Sequence, residues 1–206
     1  MIYLFVLLFF LLFSFSILIV IVSSFIGFLL TRVPFVRTSA KDVAVVVEQI
    51  GISSDDILYD LGSGDGMVIF LVEKLSGAKT TGFELTWWTH ALAQLRKIIT
   101  GSKAVFINRN FFHQSWSEAT VIYGYLYPPL MGRVETKFLE DCKPGTKAII
   151  RDFPFPTLKE VQIIRTGNQS LQPQFHDTKW NRFVLLLKSL WPHKNRVGHE
   201  FYIYVK

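Results

Sequence analysis

The chain has one cysteine among 206 residues, Cys142, so an intrachain disulfide and a multi-cysteine zinc site are both excluded. Its five histidines are scattered without metal-ligand spacing, and no metal is expected. There is no long Lys/Arg run and no RNA-binding aromatic motif, which makes nucleic acid a poor explanation for the net charge of +6. Internal repeats are missing too. The most informative absence is local. Met1 to Leu30 contain no charged residue, no proline and a single glycine.

That stretch accounts for a mean hydropathy of +0.32. At about 1.5 Å per residue a helix of this length reaches about 45 Å, more than a hydrocarbon core of about 30 Å. A transmembrane helix over residues 1–30 is the expected structure. A cleaved signal peptide is the rival, but a positive n-region is missing and the apolar run is too long for an h-region. Arg32, Arg37 and Lys41 follow the run. The positive-inside rule then expects a single-pass membrane protein with its folded domain in the cytoplasm. Basic residues beside an anchor also suit an anionic leaflet, so the lipid bilayer is the expected partner. Residues 31–40, with Pro34 and no clear period, read as a juxtamembrane linker, and 41–206 as one folded domain.

Within that domain, short apolar runs alternate with helical patterns. Thr38 or Ser39 can cap a helix starting near Ala40 and ended by Gly51. Strands are expected at Ile57–Leu61, "AKTTGFEL", "KAVFINRN", "TVIYGYLY" and "TKAIIRDF". Helices are expected at Met67–Leu75, "WWTHALAQLRKIIT" and "RVETKFLEDC". "VQIIRT" reads as a further strand, "RFVLLLKSLW" as strand or helix, and "HEFYIYVK" as a terminal strand. This alternation predicts a mostly parallel α/β sheet of Rossmann-like form, helices on both faces, with an antiparallel C-terminal strand.

The stretch "DILYDLGSGDGMVIF" concentrates the chemistry. An apolar strand leads into Asp60, and Gly62, Gly64 and Gly66 then sit at every second position before a helix. Glycine allows positive φ and close backbone approach to a ligand, and the helix start offers free N–H groups. A dinucleotide site uses G-x-G-x-x-G, one residue different. Glu84, at the end of the next strand, is placed to accept hydrogen bonds from both hydroxyls of a ribose. NAD and S-adenosylmethionine both carry one; the glycine spacing and Asp60 favour S-adenosylmethionine.

"DLGSGDG" resembles motif I of class I S-adenosylmethionine-dependent methyltransferases. "VPFVRTSAKDV", "YDLGSGDG", "FEL" followed by Trp88, and "FPFP" at 153–156 come in the order found in one small family. These are the membrane-anchored lysine methyltransferases acting on the ATP synthase c-subunit and the adenine nucleotide translocase, with prokaryotic relatives. The resemblance covers most of 31–156 and fades after Pro156. It implies that Asp60, Gly62, Ser63, Gly64 and Gly66 line the methionine and ribose part of the cofactor. It also implies that Glu84 binds the ribose hydroxyls and that Leu85 packs near the adenine. Asn110, in "NRNFF", stands where relatives carry an acidic residue and keeps a carbonyl oxygen for the adenine amino group. Thr86-Trp87 replaces the usual Asn-Pro.

The expected acceptor is a lysine in a membrane protein. Tyr125 and Tyr127, after the fourth strand, are the expected catalytic residues that orient the amine. Asp152 is a third catalytic candidate that can instead pair with Arg151. "FPFP" is expected to wall the slot with Phe153 and Phe155. Trp87, Trp88 and His113 read as packing or surface residues, and Cys142 as a turn residue. The competing readings are a lipid or quinone-like small-molecule methyltransferase, a non-catalytic cofactor-binding module, and a nicotinamide dehydrogenase, which the glycine spacing disfavours.

Overall fold

The computed structural model describes residues 2–31, 38–166 and 198–206. The expected linker over 31–40 and the ambiguous "RFVLLLKSLW" thus lie largely or wholly outside the described residues.

Helix α1 (Ile2–Thr31) is the charge-free run. Helix α2 (Ala40–Ile50) starts where Ser39 accepts a hydrogen bond from the Asp42 N–H and stops at Gly51 in the left-handed conformation. Then come β1 (Ile57–Leu61), α3 (Met67–Ser76), β2 (Lys79–Phe83), α4 (Trp87–Thr100), β3 (Val105–Ile107), β4 (Val121–Gly124), α5 (Met131–Asp141), β5 (Lys147–Arg151), β6 (Gln162–Arg165) and β7 (Glu200–Val205).

The seven strands run in the order β3-β2-β1-β4-β5-β7-β6. β7 is antiparallel to both neighbours, and the other pairings among the first five strands are parallel. A parallel strand covered on both faces has no solvent side, so its sequence is apolar throughout rather than alternating. β4 illustrates this: Val121, Ile122, Tyr123 and Gly124 are all buried. One core fills the face under α2, α3 and the Ala93 side of α4, around Leu58, Ile69, Leu71 and Ile149. The other lies under α5, around Leu61, Ile122, Val134, Phe138 and Ile150.

The order reverses between β1 and β4, which part company to left and right at their carboxyl ends. In an open α/β sheet that divergence leaves a crevice for ligand. The glycine stretch and Glu84 both emerge there.

Candidate active site

The turn after β1 is built from backbone that only glycine adopts readily. Gly62, Gly64 and Gly66 have φ of 101°, 55° and 80°. At Gly66 a Cβ would also meet the Phe70 ring at 2.7 Å and the Phe106 ring at 2.8 Å, so α3 starts against two aromatic rings. The Gly62 and Ser63 N–H groups both donate to the Phe83 carbonyl, at 2.9 Å each, which clamps the turn onto the end of β2. Gly82 lies beneath it. A Cβ there would fall 2.6 Å from the Ser63 side chain. Ser63 is therefore a packing element of the turn, and its buried Oγ has no hydrogen-bond partner among the described residues.

Glu84 leaves β2 directly beside this turn. One carboxylate oxygen accepts from the Gly64 N–H at 2.8 Å, and the other from the Thr86 N–H at 2.7 Å. Its side chain thus faces the glycine turn from across the crevice. Asn108 donates to the Glu84 and Leu85 carbonyls, fixing the backbone that presents them. Leu85 is exposed, as a platform for a flat ring requires. Asn110 is placed differently from the expectation of a free carbonyl oxygen. Its Oδ1 caps the short helical turn Phe111–His113 through the Phe112 N–H at 3.0 Å. His113 sits in that same surface turn.

Two acids under the turn have different fates. Asp65 forms a buried ion pair with Arg96 of α4 at 2.6 Å, and Arg96 also donates to the Asp65 carbonyl. This pair ties the glycine turn to α4. No local pattern in the sequence signals it, because the partners stand 31 positions apart. Asp60, at the edge of β1, is 2 % exposed. Burial, and then the charges of Glu84 and Asp65, hold its carboxyl well above the usual range.

The residues expected on the acceptor side follow β4 and β5. Tyr125 follows Gly124, whose register partner on β1 is Leu61, so it leaves the sheet beside Gly62. Its ring stacks parallel on Phe153 at 6.2 Å, and the Arg151 guanidinium lies over it at 4.3 Å. Tyr127 is 41 % exposed. Asp152 has φ 59°, the one positive value at a non-glycine among the described residues. The kink is held by the Asp152 N–H on the Glu200 carbonyl and by its carboxylate, which bonds His199 and Arg151. It turns Phe153 toward Tyr125. Phe155 points the other way, contrary to the expectation that both rings of "FPFP" wall the slot. It is buried against Phe138 and Tyr204, and its N–H donates to the Tyr204 hydroxyl. Trp87 lies at the surface, 49 % exposed. Cys142 caps α5, and burial pushes its thiol up to about 11.

The ANTKMT methyltransferase domain matches residues 60–162, which contain the glycine turn, Glu84, Tyr125 and Asp152. The chain is 34% identical over 144 residues to a protein-lysine N-methyltransferase of Saccharolobus islandicus, covering 68% of this chain and 89% of that protein. The chain belongs to the ANTKMT methyltransferase family. It is an enzyme whose cofactor is S-adenosylmethionine. The mouse adenine nucleotide translocase lysine N-methyltransferase is 26% identical over 66% of this chain and 60% of its own length. For the mouse lysine N-methyltransferase of the ATP synthase c-subunit the figures are 27%, 60% and 50%. The chain thus spans little more than half the length of these two mouse relatives. In fold, an RNA methyltransferase from Salinibacter ruber solved with S-adenosyl-L-homocysteine superposes with a TM-score of 0.65 at 23% identity, over 82% of this chain and 93% of that one.

The residues present fit the ANTKMT cofactor. A carboxylate faces the turn for a ribose diol, an exposed leucine follows it for a flat base, and the buried Asp60 carboxyl underlies the turn for an ammonium. Asp60 gives a first prediction. With its pKa raised, the folded protein holds this proton more tightly than the unfolded chain does, so the associated stability is present at low pH and lost as pH rises through the folded value. Asp60→Asn should remove that loss and raise the melting temperature of the cofactor-free protein above pH 5 by a few degrees. It should also weaken S-adenosylmethionine by about tenfold, since a charge-assisted hydrogen bond contributes about 1.5–3 kcal/mol. Thermal melts from pH 4 to 8, with and without cofactor, check both signs.

Proposed function

We propose that this chain is a membrane-anchored protein-lysine N-methyltransferase whose acceptor is a lysine of a membrane protein. The observation that carries the lysine assignment is the similarity to the Saccharolobus protein-lysine N-methyltransferase along nearly its whole length. The anchor assignment is supported by α1, whose residues Ile2–Val22 are apolar enough and long enough to cross a membrane and are not buried in the fold. Both mouse relatives are named for membrane-protein acceptors, which favours the same class here.

In this reading Glu84 holds the ribose hydroxyls, Asp60 the ammonium, the Gly62–Gly66 backbone the chain between them, and Leu85 the adenine. When bound, S-adenosylmethionine supplies an electrophilic methyl group on a sulfonium. The protein's own task is to align the acceptor amine and exclude water. A lysine has an ordinary pKa of about 10.4 and must lose its proton first. Tyr125 and Phe153, stacked in parallel, form an apolar wall for the lysine stem, and desolvation there lowers the amine pKa. The Arg151 guanidinium behind Tyr125 acts in the same direction through charge repulsion. The Tyr125 and Tyr127 hydroxyls accept hydrogen bonds from the amine and orient its lone pair. Asp152 is already engaged by His199 and Arg151, so its part is to hold the kink that sets Phe153.

Replacing both tyrosines, Tyr125→Phe with Tyr127→Phe, should cut turnover at least about tenfold through loss of two amine contacts of about 1 kcal/mol each. Cofactor affinity should be unchanged. Full turnover in the pair would assign amine orientation to other groups. The function itself is tested by incubating the full-length enzyme and methyl-labelled cofactor with separated membrane and soluble fractions. Label on a membrane protein band is expected. Label confined to soluble protein, or to the lipid extract, would contradict the proposal.

A further inference from the structure

Helix α4 has an apolar face turned away from the sheet. Its buried residues, Thr89, Ala93 and Arg96, recur at helical spacing and point into the fold. On the opposite side Trp87, Ala91, Leu95 and Ile98 follow one another at intervals of four, four and three, with Ile99 beside them. Ile98 is 78% exposed, Ile99 60% and Leu95 53%; Val105, on the neighbouring edge strand β3, is 48% exposed. A helix packed on a soluble domain carries its charges on this side. α4 contains no acidic residue; Arg96 is engaged by Asp65, and Lys97, partly buried, is its other lysine or arginine.

We infer that this face of α4 lies on the lipid bilayer, with Trp87, Leu95, Ile98 and Ile99 in the headgroup–acyl boundary. The inference rests on the proposal that α1 spans the membrane. Four observations select lipid as the occupant. α1 comes into contact with α4, so a membrane-spanning α1 brings α4 to the bilayer surface. α1 does not itself cover the stripe, since the exposures above are those with α1 present. Only seven residues separate Thr31, the end of α1, from the Ser39 cap of α2, a reach of about 28 Å fully extended, so the domain cannot move far from the membrane. A face of bulky apolar side chains with an aromatic at one end and no acid matches helices that lie about 5–10 Å deep in a membrane interface. The stripe begins three residues after Glu84. Docked this way, the mouth of the crevice opens at the lipid surface, where a lysine flanking a membrane span of another protein is within reach.

The test places a nitroxide label at single cysteines in the full-length chain carrying Cys142→Ala: Ile98→Cys on α4, and Glu140→Cys, exposed on α5 across the sheet. Each protein is reconstituted at one chain per nanodisc of phosphatidylcholine and phosphatidylglycerol. The Ile98 label should be relaxed more by oxygen than by a water-soluble nickel chelate, and the Glu140 label the reverse. A protein that stays in the discs while nickel relaxes the Ile98 label more strongly would overturn the α4 inference and leave the anchor standing. An Ile98 label shielded from both reagents would also overturn it, by assigning the face to a protein partner or second copy. A chain that fails to enter the discs at all would overturn the anchor, and the inference with it.

Discussion

Glu84→Ala should weaken S-adenosylmethionine binding by about 10- to 100-fold while the protein stays folded. The carboxylate faces the crevice and is held by the Gly64 and Thr86 N–H groups. A hydrogen bond to a charged group contributes about 1.5–3 kcal/mol, and the ribose offers two hydroxyls. Loss of one such bond corresponds to about tenfold in affinity, and partial loss of both to about a hundredfold. The alanine also frees the Gly64 N–H, which loosens the turn without opening the core, because Glu84 packs in neither apolar cluster. Glu84→Gln should lie between wild type and alanine: one oxygen remains as an acceptor, but the charge is gone. Calorimetric titration reads the affinities, and circular dichroism checks the fold. Unchanged affinity in the alanine variant would place the ribose elsewhere.

Arg96→Ala should be the most destabilising single change, at about 3–5 kcal/mol. It leaves the buried Asp65 carboxylate without its partner, the situation in which breaking an ion pair costs most. The damage should spread to the cofactor, because Asp65 lies within the glycine turn and its other oxygen accepts from the Met67 N–H at the start of α3. The double replacement Arg96→Met with Asp65→Leu removes both charges and should recover part of the stability, since buried pairs can be exchanged for apolar packing at small cost. It should not recover cofactor binding, which needs the backbone that Asp65 shapes. Urea unfolding of Arg96→Met, Asp65→Leu and the double closes a cycle. Additive losses would mean that the pair is not coupled.

What is legible in the sequence divides along the range of the interactions. β1 and the caps of α2 are local: an apolar run broken by glycines, and a serine and a glycine at the two ends, and the structure has them at the expected residues. The glycine turn and Glu84 are legible together because strand-turn-helix chemistry repeats within about 25 residues. The residues that sequence does not reveal act across long separations. Arg96 reads as an ordinary helix cation until the fold buries it on Asp65. Gly82 reads as a weak strand residue until Ser63 occupies its Cβ position. Phe155 and Phe153 look equivalent in "FPFP", yet the left-handed kink at Asp152 sends them to different sides. Asn110 stands where the resemblance implies a ligand contact, and its local use as a cap shows how short polar residues serve the backbone first. The exposed stripe on α4 is visible in the sequence as a period of apolar residues, but periodicity alone does not say which face meets the sheet.

The proposed acceptor atom is a lysine Nζ. The most direct measurement supplies methyl-labelled S-adenosylmethionine and the full-length enzyme to membranes, then identifies the labelled product by fragmentation mass spectrometry. Methyl-lysine in a membrane-protein peptide is the expected product, with labelling abolished by Glu84→Ala at limiting cofactor. A label on any other side chain, in lipid or in RNA, would contradict it.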